Sequence, residues 1–274
     1  MTPFSASDAA LEGFQLIRRR WRVVLGWAGF NLLALLMVAV ISAVLSVVAG
    51  AVSGGAQAPV LLLTGLIGGF LTLFTQAILS AGVYRLELRP QEPGFLHLRL
   101  GRDELRLIGV WLITITGVWV LGWAGALLGG ALGGGGVWLE LLGAAVAIYL
   151  GMRFLLAAPI AVAERKIDFV RSWRLTRGRF WPLLGMVALS VCLIALTMVV
   201  VFLVLAAIAA LAGGLDGLAG MFGGADVLQQ RPGLFLLGFA VQIILIPVLW
   251  VLGTAPVVAA YKAFTGEPAA SPQP

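Results

Sequence analysis

The sequence predicts an all-α, polytopic integral membrane protein: six transmembrane helices arranged as three hairpins, with interfacial amphipathic segments on the cytoplasmic side. Three observations carry this. Of 274 residues, 61% are hydrophobic and 11% charged, against about 25% charged in an ordinary soluble domain. A soluble core of this size has no room for so much apolar surface, so the excess faces lipid. Six apolar runs are each long enough to cross a bilayer, and nearly all the basic residues fall at alternate ends of those runs.

Taken in order, residues 1–22 are expected to form an interfacial helix. Leu11, Phe14, Ile17 and Trp21 make one stripe of it, and Asp8, Glu12, Gln15, Arg19 and Arg22 another; Ser5 or Ser7 caps it. Spans are expected at 23–49, 59–84, 107–130, 137–159, 183–212 and 234–260. The first holds 27 residues without a charge, well beyond the roughly 7–15 of a signal-peptide core, so an uncleaved span is expected. Strand alternation is absent, which leaves helices to satisfy the backbone in lipid. Arg18, Arg19, Arg20 and Arg22 precede the first span. Arg85, Arg89, Arg99, Arg102 and Arg106 fill the second connection, and Arg165, Lys166, Arg171, Arg174, Arg177 and Arg179 the fourth; Lys262 follows the last span. By the positive-inside rule both termini are cytoplasmic. Residues 1–266 read as one helical membrane domain and 267–274 as a disordered cytoplasmic tail. The glycine-rich stretches 133–136 and 213–224 read as flexible turns, and Pro247 and Pro256 as kinks in the last span.

The basic connections carry aromatic residues in a pattern. From Asp168 onward, Phe169, Trp173 and Phe180 fall on one helix face, and Arg171, Arg174 and Arg179 spread over the other, with Gly178 as a helix breaker. Such a segment lies in the headgroup plane, rings toward the acyl chains and guanidinium groups toward phosphate. At an offset of 159, Phe14 aligns with Trp173, Leu16 with Leu175, Arg18 and Arg20 with Arg177 and Arg179, Trp21 with Phe180, and Leu25-Gly26 with Leu184-Gly185. Leu98-Arg99-Leu100-Gly101-Arg102 is a looser third copy. The chain therefore reads as three units, each an interfacial segment followed by a helical hairpin. Ser172-Trp173-Arg174-Leu175-Thr176-Arg177-Gly178-Arg179-Phe180-Trp181, preceded by Ala158-Pro159 and Glu164, resembles the membrane-domain family found with some bacterial glycerophosphodiester phosphodiesterases, and its stand-alone relatives. The resemblance implies a polytopic helical domain and an association with lipid metabolism. It implies no catalytic residue, because the phosphodiesterase itself is a separate metal-dependent barrel.

One cysteine, Cys192, and one histidine, His97, exclude a disulfide framework, a thiol zinc site and any histidine-based triad. No cofactor is expected, and no paired intramembrane carboxylates or phosphate-cradling loop suggest an enzyme. The residues expected to meet anionic lipid headgroups are Arg171, Arg174, Arg177, Arg179, Trp173 and Trp181, with Arg18, Arg19 and Arg20. Arg153 lies within a span, where a charge costs at least about 2.5 kcal/mol. Only about 10 Å from the expected span end, it can snorkel to the surface; alternatively it lines a polar path with Asn31, Gln76 and Gln242. Those amides serve equally as hydrogen-bonding glue between helices. Small-residue patterns at Gly65/Gly69 and Gly125/Gly129 permit close helix approach. Asp103-Glu104 suits a helix N-terminus with local pairs to Arg102 and Arg106. The pI near 10.4 does not indicate nucleic acid, since the positive charge sits where orientation already requires it. The expectation is a non-enzymatic module of a bacterial inner membrane, a scaffold or accessory in lipid or envelope metabolism, with membrane lipids and another membrane protein as partners. The alternative is a small permease or lipid-handling transporter around Arg153.

Overall fold

The computed structural model describes residues 4–51, 57–91, 95–99, 101–131, 136–220 and 232–266; the expected tail at 267–274 lies outside them. Among the described residues there is no strand, and six helices are long and apolar enough to cross a membrane. In chain order the helices are α1 (Ala6–Arg19), α2 (Trp21–Ala51), α3 (Gln57–Leu88), α4 (Arg102–Ala131), α5 (Gly136–Phe154), α6 (Ala157–Ala163), α7 (Phe169–Thr176), α8 (Phe180–Gly220) and α9 (Pro232–Thr265). A short 3₁₀ turn, Phe95–His97, lies between α3 and α4.

Several helices outrun the apolar stretches that predicted them. α3 carries Arg85 in its last turn, α4 starts at Arg102, and α8 continues through 213–220. That part of the second glycine-rich stretch is therefore helix and not a turn. In lipid the alternative to helix is an unsatisfied backbone, which outweighs the low helix propensity of glycine. The expected span at 137–159 is instead divided, with α5 ending at Phe154, a turn at Leu155-Leu156, and then α6. Pro159 explains the break. It has no N–H for the Leu155 carbonyl, and its ring crowds that carbonyl.

Packing is concentrated at one end, the end that carries the basic residues. There Ala81 and Tyr84 of α3, Leu107 and Val110 of α4, Ala157 and Ala161 of α6, and Val258 of α9 form one buried cluster. Two further clusters join α1 to α6, α8 and α9, and to α2, α3 and α9. Away from this end the helices present large apolar side chains outward, among them Val40, Val44, Leu62, Leu66, Leu203 and Leu211. One close approach there is backbone to backbone. A methyl group added at Gly125 of α4 would lie 3.1 Å from the Leu139 carbonyl of α5. Gly65 and Gly69 meet nothing within 4 Å, so of the two small-residue patterns the one starting at Gly125 is used.

α1 docks on α8 and α9 through Ala9, Ala10, Gly13 and Leu16. Of the expected apolar stripe, Leu11, Phe14 and Trp21 are exposed, and Ile17 is partly buried against the cluster that joins α1 to α2, α3 and α9. Small side chains permit close docking, and the larger apolar ones are left for the surroundings. Ser5 is the N-cap, its hydroxyl accepting from the Asp8 N–H at 3.3 Å.

Gly26 of α2, Gly109 of α4 and Gly185 of α8 each lie under a segment from elsewhere in the chain. A methyl group at Gly26 would lie 2.5 Å from Leu96 Cδ1, one at Gly109 3.5 Å from Ile167 Cδ1, and one at Gly185 3.9 Å from Ala6 Cβ. Each glycine has a buried side chain two residues before it and one residue after: Val24 and Trp27, Leu107 and Val110, Leu183 and Met186. The segment leading into α4 thus rests on α2, the one leading into α8 rests on α4, and α1, leading into α2, rests on α8. The long helices α2 and α8 begin at Trp21 and Phe180, residues that the offset of 159 also pairs.

Gly13 tests the docking of α1, because a methyl group there would lie 2.9 Å from the Leu252 Cα. Gly13→Val is expected to destabilise the protein by about 1–3 kcal/mol through overpacking. Thermal unfolding in detergent reads this, with Gly65→Val, a site in open space, as the matched control expected to unfold near wild type.

Candidate functional site: the cationic end

The turn between α3 and α4 is built around a buried ion pair. Arg85 Nη2 lies 2.6 Å from Glu104 Oε1, and both side chains are almost completely buried. Glu104 is the third residue of α4, and its Oε2 accepts from the N–H of Gly101, the residue before the helix, at 2.9 Å. This is the reach-back half of a capping box. Arg85 Nη1 donates to the His97 carbonyl at 3.3 Å. Asp103 accepts from Arg106 at 2.7 Å and faces Arg85 at 3.4 Å and Arg89 at 3.8 Å, while Arg89 Nη2 donates to the Ala163 carbonyl at 2.7 Å. The Asp103–Arg106 pair is the local one the sequence suggests. The partner of Glu104, Arg85 on the preceding helix, is not.

Leu96 and His97 both sit in the left-handed region, at φ 55° and 57°. Such conformations cost about 1–3 kcal/mol each and need the surroundings to hold them. Here the surroundings do so through the two carbonyls. Trp27 Nε1 donates to the Leu96 carbonyl at 2.9 Å, and Arg85 donates to that of His97. Burial, and then the charges of Arg20, Arg85 and Arg99, hold the His97 imidazole below its ordinary pKa, with the Pro90 carbonyl acting the other way.

Around this turn other ion pairs tie helix ends together. Lys262 of α9 lies 2.5 Å from Glu87 of α3, and Arg171 of α7 lies 2.8 Å from Glu164, which also accepts from Tyr261 of α9 at 3.3 Å. Asp168 caps α7, accepting from the Arg171 N–H at 2.8 Å. That bond, against the opposing effect of desolvation and helped by Lys166, Arg174 and Arg171, keeps its carboxyl below the ordinary range. Gly178, at φ 77°, makes the turn between α7 and α8.

The residues expected at lipid headgroups divide into two groups. Arg171 is held by Glu164, Arg19 pairs with Glu12, and Arg179 stacks 4.3 Å over Phe264. Arg18, Arg20, Arg174 and Arg177 are exposed and unpaired among the described residues; Trp181 is 76% exposed and meets the Phe180 ring edge-on. Trp173 turns inward. Its ring packs on Tyr149 and Phe154 of α5, while Phe169 packs on Phe154 and Phe180 on Tyr149. The aromatic face of α7 therefore contacts protein.

Arg153 and the three amides are not brought together by any hydrogen bond among the described residues. Asn31 is buried and donates to the Ile243 carbonyl of α9 at 3.4 Å. Gln76 has a buried Oε1 without a partner, and Gln242 is exposed. Arg153 sits 4.9 Å from the Tyr149 ring centre and 5.2 Å from that of Trp173, and donates to the Tyr149 hydroxyl at 2.8 Å. Its carbonyl, at the broken end of α5, accepts from Ser172 at 2.8 Å and Thr176 at 3.3 Å. These hydroxyls replace helical partners that the break removes.

Arg85→Ala is expected to cost about 3–5 kcal/mol by leaving the Glu104 charge buried alone. Arg85→Met with Glu104→Leu should recover much of that loss, and chemical unfolding in mild detergent compares the two. His97 gives a pH dependence of definite sign. Its folded pKa lies below the ordinary 6.5, so the unfolded chain binds more proton in acid. The His97 contribution to stability is fully present above pH 6.5 and is lost as pH falls below it. His97→Asn, which tolerates a left-handed backbone, should flatten the unfolding midpoint over that window.

Comparison with known proteins adds no relative: no family model, curated protein or solved structure matches the chain.

Proposed function

We propose that this chain is a non-enzymatic membrane module of a bacterial cytoplasmic membrane. On this reading it comprises three helical hairpins with interfacial cytoplasmic segments and has both termini inside. It binds anionic lipid at its cationic end and serves as a scaffold or accessory in lipid or envelope metabolism. The observation that carries the reading is the set of exposed, unpaired guanidinium groups of Arg18, Arg20, Arg174 and Arg177 beside the exposed indoles of Trp21 and Trp181. All belong to one end of the bundle, because α1, α7 and the start of α8 pack on the end of α9 or the break after α5. Cations beside tryptophans suit a surface of phosphates over acyl chains. The resemblance of residues 172–181 to the membrane domain that accompanies certain phosphodiesterases points to the same lipid setting. A transport path around Arg153 is the weaker reading, since the polar contacts of Arg153 lie on α5 and α7 while Asn31 bonds to α9.

Lipids retained by the purified protein, identified by native mass spectrometry, test the reading. A variant with alanine at Arg18, Arg20, Arg174 and Arg177 is expected to keep its fold and lose most bound anionic lipid, at about 1 kcal/mol per basic residue near a charged surface. Retention of the wild-type lipid set would show that these arginines only orient the chain.

A further inference from the structure

Arg153 is a half-buried cation whose hydrogen-bonding capacity is mostly unused. No carboxylate pairs with it among the described residues. Its Nη2 donates to Tyr149, while Nε and Nη1 are buried with no hydrogen-bond partner. The Tyr149 and Trp173 rings lie near the guanidinium and attract its charge, but ring faces do not replace acceptors for the N–H groups. Buried donors left idle are costly, and the acceptor that matches a guanidinium fork is a phosphate or carboxylate. Tyr149 is exposed, so its hydroxyl and the Nη2 edge of Arg153 reach the outer surface of the bundle.

Beside this site runs a groove between α4 and α5, of about 70 Å³, lined by Ile113, Gly117, Val118, Leu150, Gly151 and Phe154 among others. Its one hydroxyl, that of Thr114, is already spent on the Val110 carbonyl at 2.8 Å. Gly117 and Gly151 leave the groove open, since a methyl group at either meets nothing within 4 Å. Phe154 joins the two features, lining the groove and packing 5.8 Å from the Trp173 ring.

The geometry points to a specific phospholipid site: Arg153 with the Tyr149 hydroxyl holds the phosphate diester of one membrane lipid, and the α4–α5 groove takes an acyl chain. This deepens the lipid-binding reading above and rests on it. A soluble phosphate ester offers Arg153 the same chemistry, but it has no use for an apolar groove.

Native mass spectrometry of the whole protein, exchanged into detergent with phosphatidylglycerol, is the test. Wild type is expected to keep one phosphatidylglycerol through collisional activation. Arg153→Gln should lower that lipid-bound fraction about tenfold, as loss of a charge-assisted hydrogen bond predicts, and Gly117→Leu should lower it by filling the groove. The four-arginine alanine variant should keep this one lipid while losing the weaker excess, and millimolar inorganic phosphate should not displace it. Unchanged retention in Arg153→Gln overturns the site. Displacement by inorganic phosphate with unchanged retention in Gly117→Leu overturns the lipid assignment and leaves a soluble phosphate site. Loss of all lipid in the four-arginine variant, with none in Arg153→Gln, upholds the general lipid-binding reading and overturns this one. Should Arg153→Gln fail to fold by size-exclusion chromatography, Gly117→Leu carries the test, because it adds a side chain into open space.

Discussion

Apolar helices surrounded by lipid gain nothing from burying apolar surface in one another, and that constraint decides where this chain is held together. The most apolar part of α8 buries none of its residues. Cohesion comes instead from close backbone approach, as at Gly125, and from hydrogen bonds and ion pairs at the cationic end. Arg85 and Glu104 are the central case. A buried pair seldom repays its desolvation by mutual attraction alone. Here the remaining groups are satisfied as well, Glu104 by the Gly101 N–H and Arg85 by the His97 carbonyl. The pair therefore fixes the α3–α4 turn and caps α4 in one arrangement.

From that turn the rest of the cationic end follows as a sequence of seats. Leu96 rests on Gly26 with its backbone in a left-handed conformation, and the same Arg85 that pairs with Glu104 donates to the His97 carbonyl. Ile167 over Gly109 and Ala6 over Gly185 repeat the contact, and Arg165, two residues before Ile167, is also left-handed at φ 56°. Because the segment resting on α8 is α1, the ring of contacts closes between the two ends of the chain. The main partners of α1 lie in α8 and α9, so its docking depends on helices more than 160 residues away.

The six spans were legible because each is a property of a single run of residues, and so was the register that pairs Trp21 with Phe180. Features set by contacts between runs were not. The apolar stripe of α1 could be read from its spacing, but the face that docks, Ala9, Ala10 and Gly13, is set by the helices it meets. The helix break after Phe154 had a readable sign in Pro159, placed inside the expected span. Glu104 had one too, three residues beyond Gly101, yet its partner Arg85 depends on the path of the intervening turn, which no spacing rule specifies. The Arg153–Tyr149 contact follows from helical periodicity, whereas Trp173 reaches Arg153 only through the docking of α7 on α5.

The orientation rule counts every basic residue alike, but the structure separates them by what they do. Arg85, Arg89, Arg106, Arg171 and Lys262 spend their charge within the protein, tying α3, α4, α6, α7 and α9 at their ends. Arg18, Arg20, Arg174 and Arg177 form no ion pair among the described residues. Arg153 belongs to neither set: it is half-buried, has no carboxylate partner among the described residues, and keeps Nε and Nη1 buried without an acceptor. On the lipid-binding reading these are complementary tasks. Exposed cations raise the local concentration of anionic headgroups without selecting among them. A fixed guanidinium beside a shaped apolar groove can select, because both phosphate and acyl chain must fit at once. Attraction at the surface and selection at Arg153 would thus be separate properties, carried by separate residues.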